Sequence, residues 1–167
     1  MPKLIKNGAA ATDTFTLLAL AEGETPETVA LPAGDLIVPL AVWQARQAEL
    51  AGRAVGVALD PADDPAALKD DFAKLALIAV RFPKFADGRG YSTATLLRSR
   101  YGYTGELRAI GDVLIDQLFF YTRCGFDALA LRDDKNLESA LARLTPFPER
   151  YQTSVDTPQP LFRRRAA

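Results

Sequence analysis

Between Pro39 and Leu144 the chain alternates short, β-rich apolar runs with segments of helical periodicity, joined by connections of a few residues. That pattern dictates parallel strands linked by helices, because a parallel pair needs a long crossover and the crossover is right-handed. The runs Ala54–Leu59 (AVGVAL) and Leu75–Val80 (LALIAV) are apolar throughout, as expected of strands covered on both faces.

The punctuation supports the alternation. Trp43, Arg46, Gln47 and Leu50 fall at helical spacing, and Gly52 supplies a stop. Asp64-Pro65 is an N-cap followed by proline at the first helical position, opening a helix to about Lys74. Ser92 reads as the N-cap of a helix from Thr93 to Arg100, closed by Gly102. Glu106–Ile110 is a strand, Gly111 a turn, and Asp112 the cap of a helix from Val113 to Arg123, ended by Gly125. Phe126–Leu131 is the next strand. Asp133 or Asp134 caps a last helix to about Leu144, after which Pro146 and Pro148 forbid continuation.

The expected fold is α/β: about four consecutive β/α units forming a mostly parallel sheet, curled like an incomplete (β/α) barrel. No long connection marks a reversal of strand order, which favours the curl; an open doubly wound sheet is the alternative. One domain is expected over residues 1–167, with a β/α core at 39–145, a small N-terminal β add-on at 1–38 and an extended tail at 146–167 that ends in Arg163, Arg164 and Arg165. In the add-on, Lys3–Asn7 backed by Gly8 reads as an edge strand, and Thr14–Leu20 (TFTLLAL) as its partner in a hairpin.

Composition excludes much chemistry. The chain has no histidine, which removes histidine triads, histidine metal ligands and the usual switch near neutral pH. Cys124 is the single cysteine, so one chain cannot build a disulfide, a CxxC pair, a structural zinc site or a cysteine-ligated cluster. No bound metal or cofactor is expected. The formal net charge of −1 offers no global attraction to nucleic acid or an anionic membrane. The opening MPKLIKNG lacks the apolar core of a signal peptide, and no apolar run reaches the length of a membrane span, so a cytoplasmic location is expected. Charge is nevertheless sorted locally: residues 81–108 carry six basic side chains against Asp87 and Glu106, whereas residues 60–71 carry five aspartates against Lys69.

In either sheet architecture, ligands gather where the C-terminal ends of parallel strands meet helix N-termini. Asp60, Arg81, Lys84, Asp87, Arg89, Tyr91, Ser92, Asp112, Arg132 and Asp133 all fall in or beside loops on that edge. The loop from Pro83 to Ser92 is the sharpest candidate. Gly88 and Gly90 would let backbone approach a ligand, the following helix offers unpaired N–H groups, and Arg81, Lys84 and Arg89 add positive charge. Together with Asp87, Tyr91 and Ser92 these residues form a candidate cradle for sulfate, phosphate or a carboxylate; a solvated turn is the structural alternative. Asp112 is the best candidate for an acid/base group, though an aspartate there also serves as a cap. Gly88-Arg89-Gly90 does not make a dinucleotide fingerprint, because Thr93 stands at the third glycine position and five residues separate Phe82 from Gly88.

The segments Arg81-Phe82-Pro83-Lys84-Phe85, Asp87-Gly88-Arg89-Gly90-Tyr91-Ser92 and Gly105-Glu106-Leu107-Arg108-Ala109 carry a family resemblance. It continues through Gly111-Asp112-Val113-Leu114, Asp116-Gln117 and Arg123-Cys124-Gly125-Phe126-Asp127, with Val38-Pro39-Leu40 and Trp43 upstream. In these the chain resembles a proteobacterial family of uncharacterised proteins, the domain of unknown function numbered 934. Members of that family are described only as oxidoreductases or as proteins of assimilatory sulfite or sulfate reduction, a label drawn from genes beside the sulfite reductase gene. The resemblance therefore implies a setting in sulfur assimilation, with sulfite reductase or another protein of that process as an implied partner, and transfers no catalytic residue. The residues argue against a literal redox enzyme. Two functions follow: an accessory protein whose basic loop face binds an acidic partner or an oxyanion, or a small enzyme or sensor for an anionic metabolite.

Overall fold

The computed structural model describes residues 3–147 and 149–164; Pro148 and Arg165 lie outside them. Eight strands form one sheet: β1 (Lys3–Lys6), β2 (Ala9–Ala11), β3 (Thr16–Leu17), β4 (Leu36–Pro39), β5 (Val55–Leu59), β6 (Leu77–Phe82), β7 (Glu106–Gly111) and β8 (Ala128–Leu131). Their order across the sheet is β2-β1-β8-β7-β6-β5-β4-β3. From β3 to β8 every neighbouring pair is parallel, while β1 runs antiparallel to both β8 and β2. The strands from β4 to β8 sit side by side in chain order, so no strand order reverses.

Right-handed crossovers between such neighbours place the connecting helices on one face. The helices are α1 (Leu40–Leu50), α2 (Arg89–Ser99), α3 (Leu118–Arg123), α4 (Leu137–Leu141) and α5 (Leu161–Arg164), with a 3₁₀ segment at Pro65–Lys74. The large core contains Val57, Ile78, Val80, Leu107 and Leu129 from alternate strand positions, packed with Trp43, Leu68, Leu97 and Tyr121 from the helices. The intervening positions, Ile37, Ala58, Leu77, Ala79 and Ile110, form a second, smaller cluster on the other face. The doubly wound alternative needs helices on both faces and is excluded. The sheet is a half-barrel of more strands than the four units expected, with antiparallel pairing at one edge.

The N-terminal residues depart from the expected hairpin. Asn7 (φ +51°) and Gly8 (φ +79°) form the turn, and β1 turns back into the three alanines of β2. Positive φ at both central residues matches the twist of an antiparallel pair, so Asn-Gly sets the hairpin and overrides the weak strand preference of alanine. Of Thr14–Leu20, only Thr16 and Leu17 pair, and they do so with Leu36 and Ile37 at the opposite edge.

Residues 12–15 therefore run as a strap from one edge of the sheet to the other. Ala11 to Thr16 is five residue steps, a reach of at most about 18 Å. In a flat sheet, seven strand spacings between β2 and β3 would span about 33 Å. The curl of the half-barrel brings the two edges within reach. Inside the curl the strap is anchored by charge. Asp13 Oδ1 accepts from Arg108 Nη1 at 2.8 Å, and Arg108 Nε and Nη2 lie 2.8 and 2.6 Å from Glu106 Oε1. The Arg108 side chain is only 3 % exposed. The Phe15 ring lies 5.5 Å from its guanidinium carbon, and Lys6 pairs with Glu106 at 2.6 Å.

Three helix ends also differ from expectation. The helix α2 starts at Arg89 and places Ser92 inside its first turns, because Asp87 Oδ1 already accepts from the Arg89 N–H at 3.2 Å. Asp112 caps no helix: β7 runs through Gly111, a 3₁₀ turn covers Ile115–Gln117, and α3 begins at Leu118. Asn136, not Asp133 or Asp134, caps α4, accepting from the Ser139 N–H at 2.9 Å. In the tail, a bridge between Ser154 and Thr157 and the short α5 replace a wholly extended run.

Candidate functional site

The parallel strands deliver Asp60, Pro83, Asp112 and Arg132 to one edge, directly after β5, β6, β7 and β8. Two adjoining cavities open there. The upper one, of about 540 Å³, is lined by Leu17, Arg81, Pro83, Ile110, Asp112 and Arg132. The lower one, of about 430 Å³, continues past the shared Leu17, Ile110 and Arg132 toward Phe15, Ile37 and Ala130 inside the curl. Together they make a cleft with a charged mouth, apolar walls and the Arg108–Asp13 pair at its floor.

Gly111 shapes the mouth. Its φ of +95° belongs to the left-handed region, and a Cβ built there would lie 2.4 Å from the Phe82 carbonyl oxygen. Glycine alone fits this backbone. The turn lets the Asp112 N–H donate to that same carbonyl at 2.8 Å. Asp112 then faces the cleft wall, where Oδ1 accepts from Arg132 Nη1 at 2.7 Å and Oδ2 from the Phe85 N–H at 2.9 Å. A carboxylate held by two donors fixes charge and braces the loop at Phe85; two of its lone-pair sites remain open.

The two cleft arginines are held differently. Arg132 is gripped on three nitrogens, by Asp112 and by both oxygens of Asp134 at 2.6 and 2.8 Å. Donation from Arg132 and then from Lys135 holds the Asp134 carboxyl well below the usual range, and the Arg132 guanidinium is correspondingly raised. Arg81 projects from β6 onto the concave side. Its Nε is buried, 3.0 Å from Asp60 Oδ1 but without the alignment of a hydrogen bond. Among the described residues no acceptor takes a hydrogen bond from Arg81 Nη1 or Nη2, and the side chain is 29 % exposed. It presents an open fork of donors at the mouth.

The glycine-bearing loop has other employment. Arg89 is tied to Asp87 through Nε at 3.0 Å and Nη2 at 2.7 Å, which holds the Asp87 carboxyl low. Gly90 is a packing residue: a Cβ there would meet the Phe82 ring at 2.5 Å. Gly88 has open space around it and an ordinary backbone. Tyr91 turns toward the rings of Phe82, Phe120 and Tyr121, with centroids 4.7–5.1 Å away. Lys84 and Ser92 lie outside the cleft lining, and both are exposed. Of the proposed cradle, Arg81 alone lines the cleft; Asp112, the acid/base candidate, lines it as well. Sequence reasoning missed Asp13, Phe15, Leu17 and Ile110 as cleft residues, because the contacts that bring the strap there are non-local.

The basic residues of 81–108 also disperse. Arg98 donates to the carbonyls of Tyr103, Gly105 and Gly125 and pairs with Asp127 at the opposite end of α2, and Arg108 is buried under the strap. A separate hollow of about 540 Å³ beside Trp43 and Gly52 carries polar groups that are already engaged: Trp43, Gln47 and Lys74 all donate to Asp71. Cys124 is buried, and burial pushes its thiol up, with smaller opposing contributions from Thr95 and Arg123. Among the described residues no group of three or more histidine, cysteine or acidic side chains could hold a metal, and no helix is long and apolar enough to cross a membrane.

Residues 56–162, well over half the chain, match the family described as bacterial protein of unknown function (DUF934). The chain belongs to this family. The DUF934 match runs from Gly56 in β5 through β8 and includes both arginines of the cleft mouth. No curated protein and no solved structure matches the chain.

Proposed function

We propose that this DUF934 protein is a small-ligand-binding accessory protein of assimilatory sulfate or sulfite reduction, and that its ligand is anionic. The observation that carries the ligand class is Arg81: a guanidinium anchored on its Nε side near Asp60, with both terminal nitrogens open over a cleft. A fork held in this way loses little side-chain freedom on gripping a carboxylate or a sulfur or phosphorus oxyanion. The cleft is of ordinary small-ligand size, which favours a metabolite over a docked protein surface. The sulfur-assimilation setting rests on the family resemblance alone.

Thermal shift with sulfate, sulfite and simple carboxylates, run beside a pull-down with sulfite reductase, tests the reading. A rise in melting temperature with at least one anion, lost in Arg81→Gln, is the expected result. Co-purification with sulfite reductase without any anion response would replace a metabolite with a protein partner. Normal sulfate assimilation in cells lacking the protein would remove the setting.

A further inference from the structure

The charges that line the cleft do not add up to a basic site. Arg81, Arg108 and Arg132 face it, but so do Asp13, Asp112 and Asp133, and the two series balance. Arg108 and Asp13 neutralise each other at the cleft floor, 2.8 Å apart. At the mouth a donor and an acceptor line the same upper cavity: Arg81, whose terminal nitrogens donate to no acceptor among the described residues although Asp60 lies 3.0 Å from its Nε, and Asp112, which accepts from Arg132 and the Phe85 N–H and keeps two further lone-pair sites. A simple anion would satisfy Arg81 and meet Asp112 as a like charge. A ligand carrying a carboxylate and an ammonium on one carbon would satisfy both. Below this mouth the walls turn apolar, with Leu17, Ile110, Phe15, Ile37 and Ala130 leading into the lower cavity.

We infer that the ligand is zwitterionic, an α-amino acid with an apolar side chain. Its carboxylate sits on Arg81, its ammonium on Asp112, and its side chain points past Leu17 and Ile110 into the curl. This inference rests on the anionic-ligand reading above and narrows it.

The test is isothermal titration of the full chain with L-leucine, with 4-methylpentanoate, which keeps the skeleton and carboxylate but lacks the ammonium, and with 3-methylbutylamine, which lacks the carboxylate. L-Methionine and L-phenylalanine allow for side-chain size, and sulfate serves as the bare anion. At least one amino acid is expected to bind ten-fold or more tightly than either single-charge analogue. Asp112→Asn should weaken the amino acid and, by removing the like charge, tighten 4-methylpentanoate, whereas Arg81→Gln should weaken both. Because Asp112 also braces the loop at Phe85, a second variant is needed. Leu17→Trp, at a lip position that is 44 % exposed, fills the apolar arm and should abolish amino-acid binding while the melting temperature of the unliganded protein stays at the parent value. If 4-methylpentanoate or sulfate binds as well as the amino acids, the zwitterion is refuted and the anion reading stands. If nothing with a carboxylate or an oxyanion binds, both fall.

Discussion

Removing Asp13 tests whether the strap is held by its buried charge. In Asp13→Ala, Arg108 keeps Glu106 but loses the carboxylate it meets on the strap, in a place where its side chain is 3 % exposed. Breaking a buried pair by deleting one member costs about 3–5 kcal/mol, because the remaining charge stays desolvated. Glu106 still accepts from two Arg108 nitrogens, which puts the cost at the low end, about 3 kcal/mol. For a chain of this size each kcal/mol lowers the melting temperature by about 2–4 °C, so a fall of about 6–12 °C is expected. Urea unfolding should show a lower midpoint at an unchanged slope. The exposed pair Arg46–Glu49 is the control, and Glu49→Ala should leave the midpoint where it is. The double variant Asp13→Leu with Arg108→Met should recover much of the loss, because both charges leave the interior together. An Asp13→Ala protein within about 0.5 kcal/mol of the parent would refute the argument, since that is the range of ordinary surface substitutions.

Other expectations concern the core and its titratable groups. Gly90→Ala drives a methyl against the fully buried Phe82 ring, and an overpacking cost of about 1–3 kcal/mol should outweigh the helical preference for alanine; a neutral melting temperature would show that the ring has room to move. Burial pushes the Asp71 carboxyl up, but hydrogen bonds from Lys74, Trp43 and Gln47 outweigh it and hold the group below its ordinary value. Its contribution to stability is therefore present above the usual aspartate range and is lost as pH falls below it. Trp43, the only tryptophan, should report that loss as a fluorescence change in acid that is absent in Asp71→Asn. Burial raises Tyr91 and Tyr121, and raises Tyr103 to about 12. Stability linked to these phenols is intact below pH 10 and falls as pH climbs toward 12, so the tyrosinate absorbance of these three should appear only together with unfolding.

The β/α rhythm was legible because it is local: apolar runs, Gly52, Gly102 and Gly125 as stops, and Asp64-Pro65 as a start all act within a few residues. The start of α2 was misplaced because two capping residues compete, and Asp87 reaches the Arg89 N–H before Ser92 can serve. The strap was invisible for a different reason. In Glu106-Leu107-Arg108, strand alternation assigns the charged residues to solvent, and only the return of residues 12–15 across the sheet turns that face into an interior. The site followed the same division. The edge could be named from strand ends, but whether an arginine there is open or already paired depends on neighbours contributed by other strands and loops. Arg81 and Arg89 look alike in sequence, yet Arg89 donates to Asp87 through Nε and Nη2 whereas Arg81 meets Asp60 only at its Nε.

The pairing of β1 with β8 sets a timetable for the chain. Lys3 lies opposite Leu131, so β1 cannot find this sheet partner until all the strands from β4 to β7 have been made. Until then the Asn-Gly hairpin is an isolated two-strand ribbon, which is marginal in water. The parallel strands from β4 to β7 can assemble in order of synthesis behind it. Docking of the hairpin onto β8 is then a late step that draws the strap across the sheet, so the cleft acquires its wall only after the rest of the barrel has formed.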